Sequence, residues 1–282
     1  MSTLPSPSIQ GCGIGLRSQH FATIEAQKPA VPWFEILSDN YLIEGTVQRE
    51  FAQQIRPDYP ITFHGVGLSI GSVEPLNKEY LKRLLKLKKE LEPAWVSDHL
   101  CWTSAHGYNT HDLIPLPYTE HVADHIAERI LQVQDALGER LVIENVSSYL
   151  QFKDTDMSEW DFINLVIEKS DCNLLLDVNN IYVSAINHQF NAEDYLLAMP
   201  ADKVKEIHLA GYEDKDTHLL DTHSRPVTKP VWDLFAKAVQ HIGDVPVLIE
   251  WDNDIPEFSR LMQEADTAKK IQQEQLSKLV NT

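Results

Sequence analysis

The amino-acid sequence predicts an α/β fold, a single (β/α)8 barrel that takes up the whole chain of residues 1–282. Eight short runs are apolar on both faces and are mostly β-branched or aromatic, which is typical of parallel strands buried under helices. Helix-like stretches separate these runs, and that alternation indicates a parallel sheet. Eight such units in 282 residues fit one closed barrel better than two domains.

The predicted strands follow one another along the chain from the N-terminus. They are Gln10–Leu16, Pro32–Leu37, Ile61–His64, Trp95–His99, Leu141–Asn145, Asn173–Val178, Val204–Leu209 and Val245–Trp251. The first contains the sequence GCGIG, which lacks the GxGxxG spacing of a dinucleotide-binding loop. A tight strand with a close backbone approach explains these glycines better than phosphate binding.

Helices between the strands are predicted from apolar residues at helical spacing and from capping residues. Tyr80–Leu91 repeats leucine on one face with lysines between, and Glu120–Leu137 repeats valine, isoleucine and leucine in the same way. Ser158 opens a third helix, and Pro230 lies in the first turn of a fourth. The Gln- and Lys-rich residues 269–282 predict a terminal helix that frays.

Composition and charge restrict the classes of function. The net charge of −18 removes the electrostatic driving force for non-specific nucleic-acid binding. No apolar run approaches the ~20 residues of a membrane span, and Met1–Ser8 lacks the basic start and apolar centre of a signal peptide. Three scattered cysteines, Cys12, Cys101 and Cys172, fit neither a disulfide scaffold nor a zinc finger. We therefore expect a cytoplasmic protein that binds neither nucleic acid nor membranes.

Imidazole and carboxylate groups stand at the ends of six predicted strands. These residues are His64, His99, Glu144, Asp177, His208 and Glu250. Because the C-terminal ends of the strands of a (β/α)8 barrel meet at one mouth, their side chains are expected to converge there. Asn180 follows three residues after Asp177, and Asp221 and His223 form a D-x-H pair in a loop, so nine donors are available in all.

The nine donors favour iron or manganese and are compatible with zinc, because they offer oxygen and nitrogen but no thiolate. They exceed what one ion needs, so two or three ions are the economical interpretation. A single histidine at a strand end is more often satisfied by protein groups than bound to metal. Buried carboxylates without partners are costly, however, so six strand ends of the same chemistry favour a metal centre.

Other candidate sites are weaker. His121 and His125 are spaced i, i+4, but no HExxH glutamate lies between them, and they are expected to face solvent on an outer helix. Cys101 follows His99 by two residues and is interpreted as a small buried thiol.

Eight segments of the chain carry a resemblance to a known family. They are WFEILSDNY, FHGVGLSIGS, VSDHLCW, LVIENVSSY, LLLDVNNIYVSA, EIHLAGY, DTHSRPV and VLIEWDND. Together they resemble the multinuclear non-haem iron-dependent oxidative enzymes, the family that contains the iron subunit of methanobactin biosynthesis. The similarity extends from Gly13 to Trp251. It implies a triosephosphate-isomerase-type barrel related to the xylose-isomerase and endonuclease-IV barrels, with two or three irons at its mouth.

The resemblance also implies how the ligands are divided among the irons. One part of the cluster would use His64, His99, Glu144 and Glu250. A second iron would use Asp177 and His208, with Glu144 or Glu250 as a bridge, and a third would use Asn180, Asp221 and His223. The related endonuclease barrel typically has a histidine at the position of Asn180. This departure weakens the third site and argues against hydrolytic zinc chemistry.

An activity and partners follow from the same resemblance. Members of the family oxidise cysteine in ribosomally made precursor peptides with O₂, and they generally work with a partner protein that recognises the leader peptide. A cysteine-containing precursor peptide is therefore the expected substrate. Asp39, Asn40 and Tyr41, after the second strand, and Arg225, beside His223, are predicted to contact it.

The segment Cys101–Thr119 is long for a loop between a strand and a helix. It contains His106, Tyr108, His111 and Tyr118, and it is interpreted either as a substrate-facing lid or as an ordered surface loop.

Two other functions remain open from the residues. One is a divalent-metal hydrolase or isomerase on the same barrel. The shared order of the ligands supports this function, whereas the net charge of −18 and the presence of Asn180 argue against it. The other is a non-catalytic metal-binding or scaffold subunit of a complex.

Overall fold

Eight parallel strands close into one barrel in the computed structural model, which describes residues 9–105 and 107–280. The strands are β1 (Cys12–Gly15), β2 (Phe34–Leu37), β3 (Ile61–Gly65), β4 (Val96–His99), β5 (Val142–Glu144), β6 (Asn173–Asp177), β7 (Val204–Leu209) and β8 (Val247–Ile249). Each strand pairs in parallel with its neighbours in chain order, and β8 pairs with β1. The predicted (β/α)8 barrel is confirmed.

Helices connect the strands and cover the barrel. They are α1 (Phe21–Gln27), α2 (Val47–Ile55), α3 (Lys78–Leu91), α4 (Glu120–Leu137), α5 (Glu159–Ser170), α6 (Val178–His188), α7 (Ala192–Ala198), α8 (Lys229–Ile242) and α9 (Phe258–Val280). Local chemistry sets their ends as expected: the Ser158 side chain accepts from Asp161 N at the start of α5, and Gly138 has a φ of 72° at the end of α4.

The bottom of the barrel is filled by apolar side chains. Trp33 and Trp95 precede β2 and β4, and they pack with Val142, Leu175 and Leu248 in a cluster that we call the apolar floor. A Cβ at Gly13 would come within 2.5 Å of Trp33, so the close approach predicted for the GCGIG strand is present. Polar groups inside the barrel therefore lie above this floor, toward the C-terminal ends of the strands.

The segment after β4 forms secondary structure of its own. Trp102–Ala105 and Tyr108–Ile114 pair as an antiparallel hairpin, which the sequence analysis described only as a long loop. His111 adopts a φ of 55° within it, a left-handed conformation that turns the strand locally. His106 and Met1–Ser8 lie outside the described residues.

The terminal segment begins its helix earlier than residue 269. Residues 269–280 are the second half of α9, and Gln272 Nε2 donates to Asp244 Oδ1 at 3.1 Å and to Val245 O at 2.8 Å. Residues 281–282 lie outside the described part. Among the described residues, no helix is both long and apolar enough to cross a membrane.

Candidate metal centre

The register of adjacent strands brings the predicted ligands together at the barrel mouth. His99 is the register partner of Glu144, and Asp177 is the partner of His208. Glu250 directly follows β8, whose residue Leu248 is also paired with His208. Parallel pairing therefore places side chains from five separate segments in one buried cluster.

A first group consists of His64, His99 and Glu144. Glu144 Oε2 lies 3.0 Å from His64 Nε2 and 3.2 Å from His99 Nε2, and the two ring nitrogens are 3.3 Å apart. The outer ring nitrogens are held by Ser97 Oγ at 2.8 Å and by Gly65 O at 2.9 Å. The inner nitrogens of both rings are thus directed toward the same carboxylate oxygen, as ligands of one ion are.

A second group shares Glu144 with the first. Glu144, Asp177, His208 and Glu250 can each place one ligand atom within 4.8 Å of the others. His208 Nδ1 lies 3.1 Å from Glu250 Oε2. Glu144 therefore stands where a carboxylate bridging two ions would, and Glu250 lies beside His208.

A third group surrounds His223, whose φ of 45° places it in the left-handed region. Its Nδ1 lies 3.2 Å from Glu250 Oε2 and 3.3 Å from Asp252 Oδ2. Its Nε2 lies 2.7 Å from Asp221 Oδ1. The D-x-H pair therefore acts as one unit, with Glu250 linking it to the second group.

Asn180 lies beside Glu144. Its Nδ2 donates to Glu144 Oε1 at 3.2 Å and to Asn145 O at 3.0 Å. The neighbouring Asn179 donates instead to Asp221 Oδ1 at 2.7 Å. The amide of Asn180 is thus placed to orient the Glu144 carboxylate.

The buried donor atoms fit a metal cluster. Among the described residues, seven buried atoms of this region have no hydrogen-bond partner of acceptable geometry. They are Glu144 Oε2, Asp177 Oδ2, Asn179 Oδ1, Asn180 Oδ1, Glu206 Oε1, His208 Nε2 and His223 Nε2. Unsatisfied buried polar atoms are costly. The oxygens of Glu144, Asp177 and Asn180 and the nitrogen of His223 therefore suit cations that take several donors at once.

The charge of the cluster also favours cations. Seven carboxylates face four imidazoles, so the cluster stays negative even with every imidazole protonated. The carboxylates are Glu35, Glu144, Asp177, Glu206, Asp221, Glu250 and Asp252, and the imidazoles are His64, His99, His208 and His223. Buried like charges need neutralising partners, which a divalent or trivalent ion supplies.

Burial and neighbouring charges shift the pKa values of several groups in this cluster. Burial alone would lower the pKa of His64, but the Glu144 carboxylate outweighs it and raises the pKa to about 10. Burial, together with the charge of Glu144, raises the pKa of Asp177 well above its ordinary value. Burial opposes ionisation of Glu250, yet His223 and His208 hold its pKa well below the ordinary value. Perturbation of this size is common at functional sites.

Three acidic residues of the cluster were missed by the sequence analysis. Glu35 and Glu206 stand in the interiors of β2 and β7, and Asp252 follows Glu250 by two residues. The signal was present in the strand period: Glu206 and His208 are two residues apart, so they point to the same face of β7. A charged residue inside an apolar strand, such as Glu35, likewise indicates a polar site inside the barrel.

The four residues predicted to contact substrate differ in how close they lie to the mouth and in how exposed they are. Asp39 Oδ2 accepts from Val66 N at 2.9 Å and from Tyr80 at 3.2 Å, and Tyr41 is buried. Arg225 pairs with Glu213 and Asp254 at the surface. Asn40 is exposed and lines a cavity of about 410 Å³ that shares Leu37 and Asp252 with the mouth. Tyr41 lines the same cavity, so both residues stay predicted contacts of a ligand.

The mouth itself is an open cavity of about 510 Å³ beneath the hairpin. Asn109, His111 and Asp112 of the hairpin line it together with the candidate ligands His99, Glu144 and His223. Tyr108 is exposed, and Tyr118 lines a separate apolar cavity. The hairpin therefore covers one side of the mouth, as the lid interpretation requires.

The cysteines take no part in the mouth. Cys12, Cys101 and Cys172 are all unpaired and buried. Burial, with the charges of Asp98 and Glu144, raises the pKa of the Cys101 thiol well above its ordinary value. The interpretation of Cys101 as a small buried thiol is confirmed.

Comparison with known proteins gives one family. The model of the family described as RiPP precursor modification enzyme MbnB/TglH/ChrH matches residues 11–273. A UPF0276 protein of Acaryochloris marina (strain MBIC 11017) is 55% identical over 261 residues, which are 93% of this chain and 94% of that protein. A UPF0276 protein of Anaeromyxobacter sp. (strain Fw109-5) is 47% identical over 269 residues, 95% of each chain.

Solved structures agree on the fold. D-psicose 3-epimerase from Clostridium cellulolyticum H10 superposes with a TM-score of 0.61 at 12% identity, covering 95% of this chain and 99% of that one. Endonuclease IV from Thermus thermophilus gives a TM-score of 0.56 at 12% identity with the same coverage. The architecture is thus the xylose-isomerase-like barrel that the resemblance implied.

Proposed function

The chain belongs to the MbnB/TglH/ChrH family of RiPP precursor modification enzymes, and from this membership we propose that it oxidises cysteine in a ribosomally made peptide. It would do so with O₂ and a cluster of two or three irons held at the barrel mouth. The observation that carries the proposal is Glu144, which belongs at once to the group of His64 and His99 and to the group of His208 and Glu250.

The ligand set suits this chemistry better than a single hydrolytic ion. Bound iron would supply an open position for a soft thiolate and the electrons with which O₂ is reduced. The groups of His64, His208 and His223 are linked through Glu144 and Glu250, so neighbouring ions would lie close enough to act together. Manganese or zinc could occupy the same donors without the redox chemistry.

The protein's own contribution is to position these groups. Ser97 and Gly65 hold the outer nitrogens of His64 and His99, so their rings keep the inner nitrogens directed at Glu144. The hairpin places His111 and Asp112 at the rim, where a peptide entering the cavity meets them. The apolar floor closes the barrel from below, so substrate has access from the mouth.

The size and charge of the mouth fit a peptide. An opening of about 510 Å³, continued past Leu37 and Asp252 into the cavity that Asn40 lines, has room for an extended segment of several residues. A chain with a net charge of −18 suits a precursor with a basic segment. The family favours a leader-recognising partner protein, and a reducing cytoplasm would keep the substrate thiol reduced.

The proposal is tested on protein purified anaerobically with iron. We expect two to three irons per chain and O₂ uptake that depends on a cysteine-containing precursor peptide supplied with its partner protein. The same peptide with serine in place of cysteine is the control and should cause no uptake. Stoichiometric zinc with cleavage of abasic DNA would instead indicate a hydrolase, and a chain without metal would indicate a scaffold subunit.

A further inference from the structure

A second layer of carboxylates lies between the candidate ligands and the apolar floor. Glu35 projects from β2 and Glu206 from β7, and both are buried inside the barrel. One oxygen of each is fixed by a neutral donor. Thr62 Oγ1 donates to Glu35 Oε2 at 3.1 Å, and Trp95 Nε1 donates to Glu206 Oε2 at 2.8 Å.

The other oxygens of this pair converge on the ring of His208. Glu35 Oε1 lies 3.3 Å and Glu206 Oε1 lies 3.5 Å from His208 Nε2. His208 Nε2 has no hydrogen-bond partner of acceptable geometry, so the two oxygens flank it without either lying along an Nε2–H bond. The opposite nitrogen, Nδ1, lies 3.1 Å from Glu250 Oε2. One side of the ring therefore faces the mouth, and the other faces the buried pair.

We propose that Glu35 and Glu206 are positioning residues that hold a proton on His208 Nε2, so that Nδ1 is the nitrogen that binds metal. The inference rests on the proposed function only in taking the mouth as a metal centre. A carboxylate behind a ligating histidine fixes the ring, sets its tautomer and raises its basicity. Losing such a partner lowers metal affinity by about ten- to a hundredfold.

An additional ion between Glu35, Glu206 and His208 is the competing arrangement, because these residues can also place ligand atoms within 4.8 Å of one another. The contacts disfavour it. Thr62 and Trp95 already use one oxygen of each carboxylate. The apolar floor below, which includes Trp33 and Leu248, supplies no further ligand. Three donors in a dry enclosure are fewer than iron or manganese takes.

The test measures zinc retention, which does not depend on turnover. Wild-type, Glu35→Gln and Glu206→Gln proteins are loaded with zinc and titrated with a chelator, and bound zinc per chain is followed. Each variant should release one ion at a chelator concentration about tenfold or more below that of the wild type. Glu264→Gln is the matched control, because Glu264 is buried in α9 away from the mouth, and it should behave as the wild type.

Histidine ¹⁵N chemical shifts of the zinc-loaded wild type give a second readout. The His208 ring should show a metal-bound Nδ1 and a protonated Nε2. A metal-bound Nε2 would overturn the inference, as would unchanged zinc retention in both glutamine variants. Loss of one whole ion in Glu35→Gln under saturating zinc would also overturn it, in favour of an additional metal site.

Folding failure can be separated from loss of positioning. Thr62→Val and Trp95→Phe keep both carboxylates and remove only the donors that fix them. They should weaken retention of the same ion, though less than the glutamine variants, and unchanged retention in both would contradict the inference. A wild-type protein that binds no metal would overturn this inference together with the proposed function. Metal-binding wild type with unaffected variants would overturn the inference alone.

Discussion

His99 and Glu144 are register partners on the adjacent strands β4 and β5, and His99 Nε2 lies 3.2 Å from Glu144 Oε2. Because parallel strands fix this pairing, the contact is set by the fold and not by a flexible loop. Glu144 also lies within ligand distance of the group of Asp177, His208 and Glu250. One carboxylate thus joins the two halves of the candidate centre.

The first prediction concerns this shared carboxylate. Glu144→Gln removes a negative charge and one bridging oxygen, so we expect metal content to fall by more than one ion per chain. The fold should survive, since the helices pack outside the mouth. Elemental analysis of the variant beside Glu264→Gln measures the loss. Iron content equal to that of the control would show that Glu144 does not bridge.

The barrel and its helix ends were predictable because their signals are local. Ser158 caps α5 through a contact three residues away, and strand burial follows directly from apolar composition. It was harder to predict from the sequence which ligands lie together in each group. The resemblance places Glu250 with His64 and His99 and also as a possible bridge beside His208, and the structure brings it to 3.1 Å from His208 and 3.2 Å from His223. Such neighbours depend on strand register and on side-chain direction at the mouth, which no short segment encodes.

The hairpin after β4 shows a second limit of the sequence. Its strand Tyr108–Ile114 is largely exposed and polar, so the alternation that marks a half-buried strand is absent. It pairs with Trp102–Ala105 in an antiparallel register that is interrupted between Trp102 and Ser104. Composition therefore marked this segment as a candidate lid, whereas its strands could not be predicted.

The second prediction concerns Arg17, which the sequence analysis did not single out. Arg17 Nε donates to Trp251 O at 3.0 Å, and its Nη2 pairs with Asp252 Oδ1. Since Asp252 contacts His223, Arg17→Met should loosen the third group, so that chelator removes one ion at about tenfold lower concentration. Arg83→Met, which breaks an exposed pair on α3, is the control. Equal metal retention in both variants would contradict the prediction.

The third prediction is a pH dependence outside the metal centre. Burial raises the pKa of Glu159 to about 7, even though Tyr195 donates to its Oε1 at 3.1 Å. A carboxyl group whose pKa is higher folded than unfolded costs stability once it ionises. That cost is absent below its ordinary pKa of 4.5, grows as pH rises from there to about 7, and stays constant above.

Glu159→Gln should therefore raise the free energy of unfolding at pH 8 by about 1–3 kcal/mol and leave it nearly unchanged at pH 4.5. Thermal unfolding of both proteins at the two pH values measures the difference. Glu168→Gln alters an exposed residue of the same helix and should give the same small change at both. If Glu159→Gln gains no stability at pH 8, ionisation of Glu159 does not destabilise the folded protein.

The fourth prediction is that the protein's own thiols are inert. Burial raises the pKa of Cys172 to about 11, and it raises those of Cys12 and Cys101 as well. Since the thiolate is the reactive form, a disulfide reagent at pH 8 should label the native chain very slowly. In denaturant, all three cysteines should react promptly. Rapid labelling of one thiol in the native chain would contradict the prediction, because a reactive cysteine of the protein would compete with the substrate cysteine for oxidation.

The last prediction separates the third group from the other two. His223 and Asp221 lie on a loop after β7, whereas His64, His99 and Glu144 lie on strands. Their predicted co-ligand Asn180 is a neutral amide, a weaker donor than the histidine of the hydrolytic relatives, so it adds little to this site. The ion at His223 should therefore be the most weakly bound and the first lost to a chelator.

Measuring iron per chain and O₂ uptake together in His223→Ala decides what this ion does. We expect one ion fewer than in His121→Ala, a control that alters an exposed histidine on α4. If the irons around Glu144 suffice for chemistry, the variant keeps part of its cysteine-dependent O₂ uptake. If the third ion positions substrate or tunes its neighbours, uptake disappears with it. Full metal content in His223→Ala would show that the contacts of His223 with Asp221 and Glu250 only stabilise the loop.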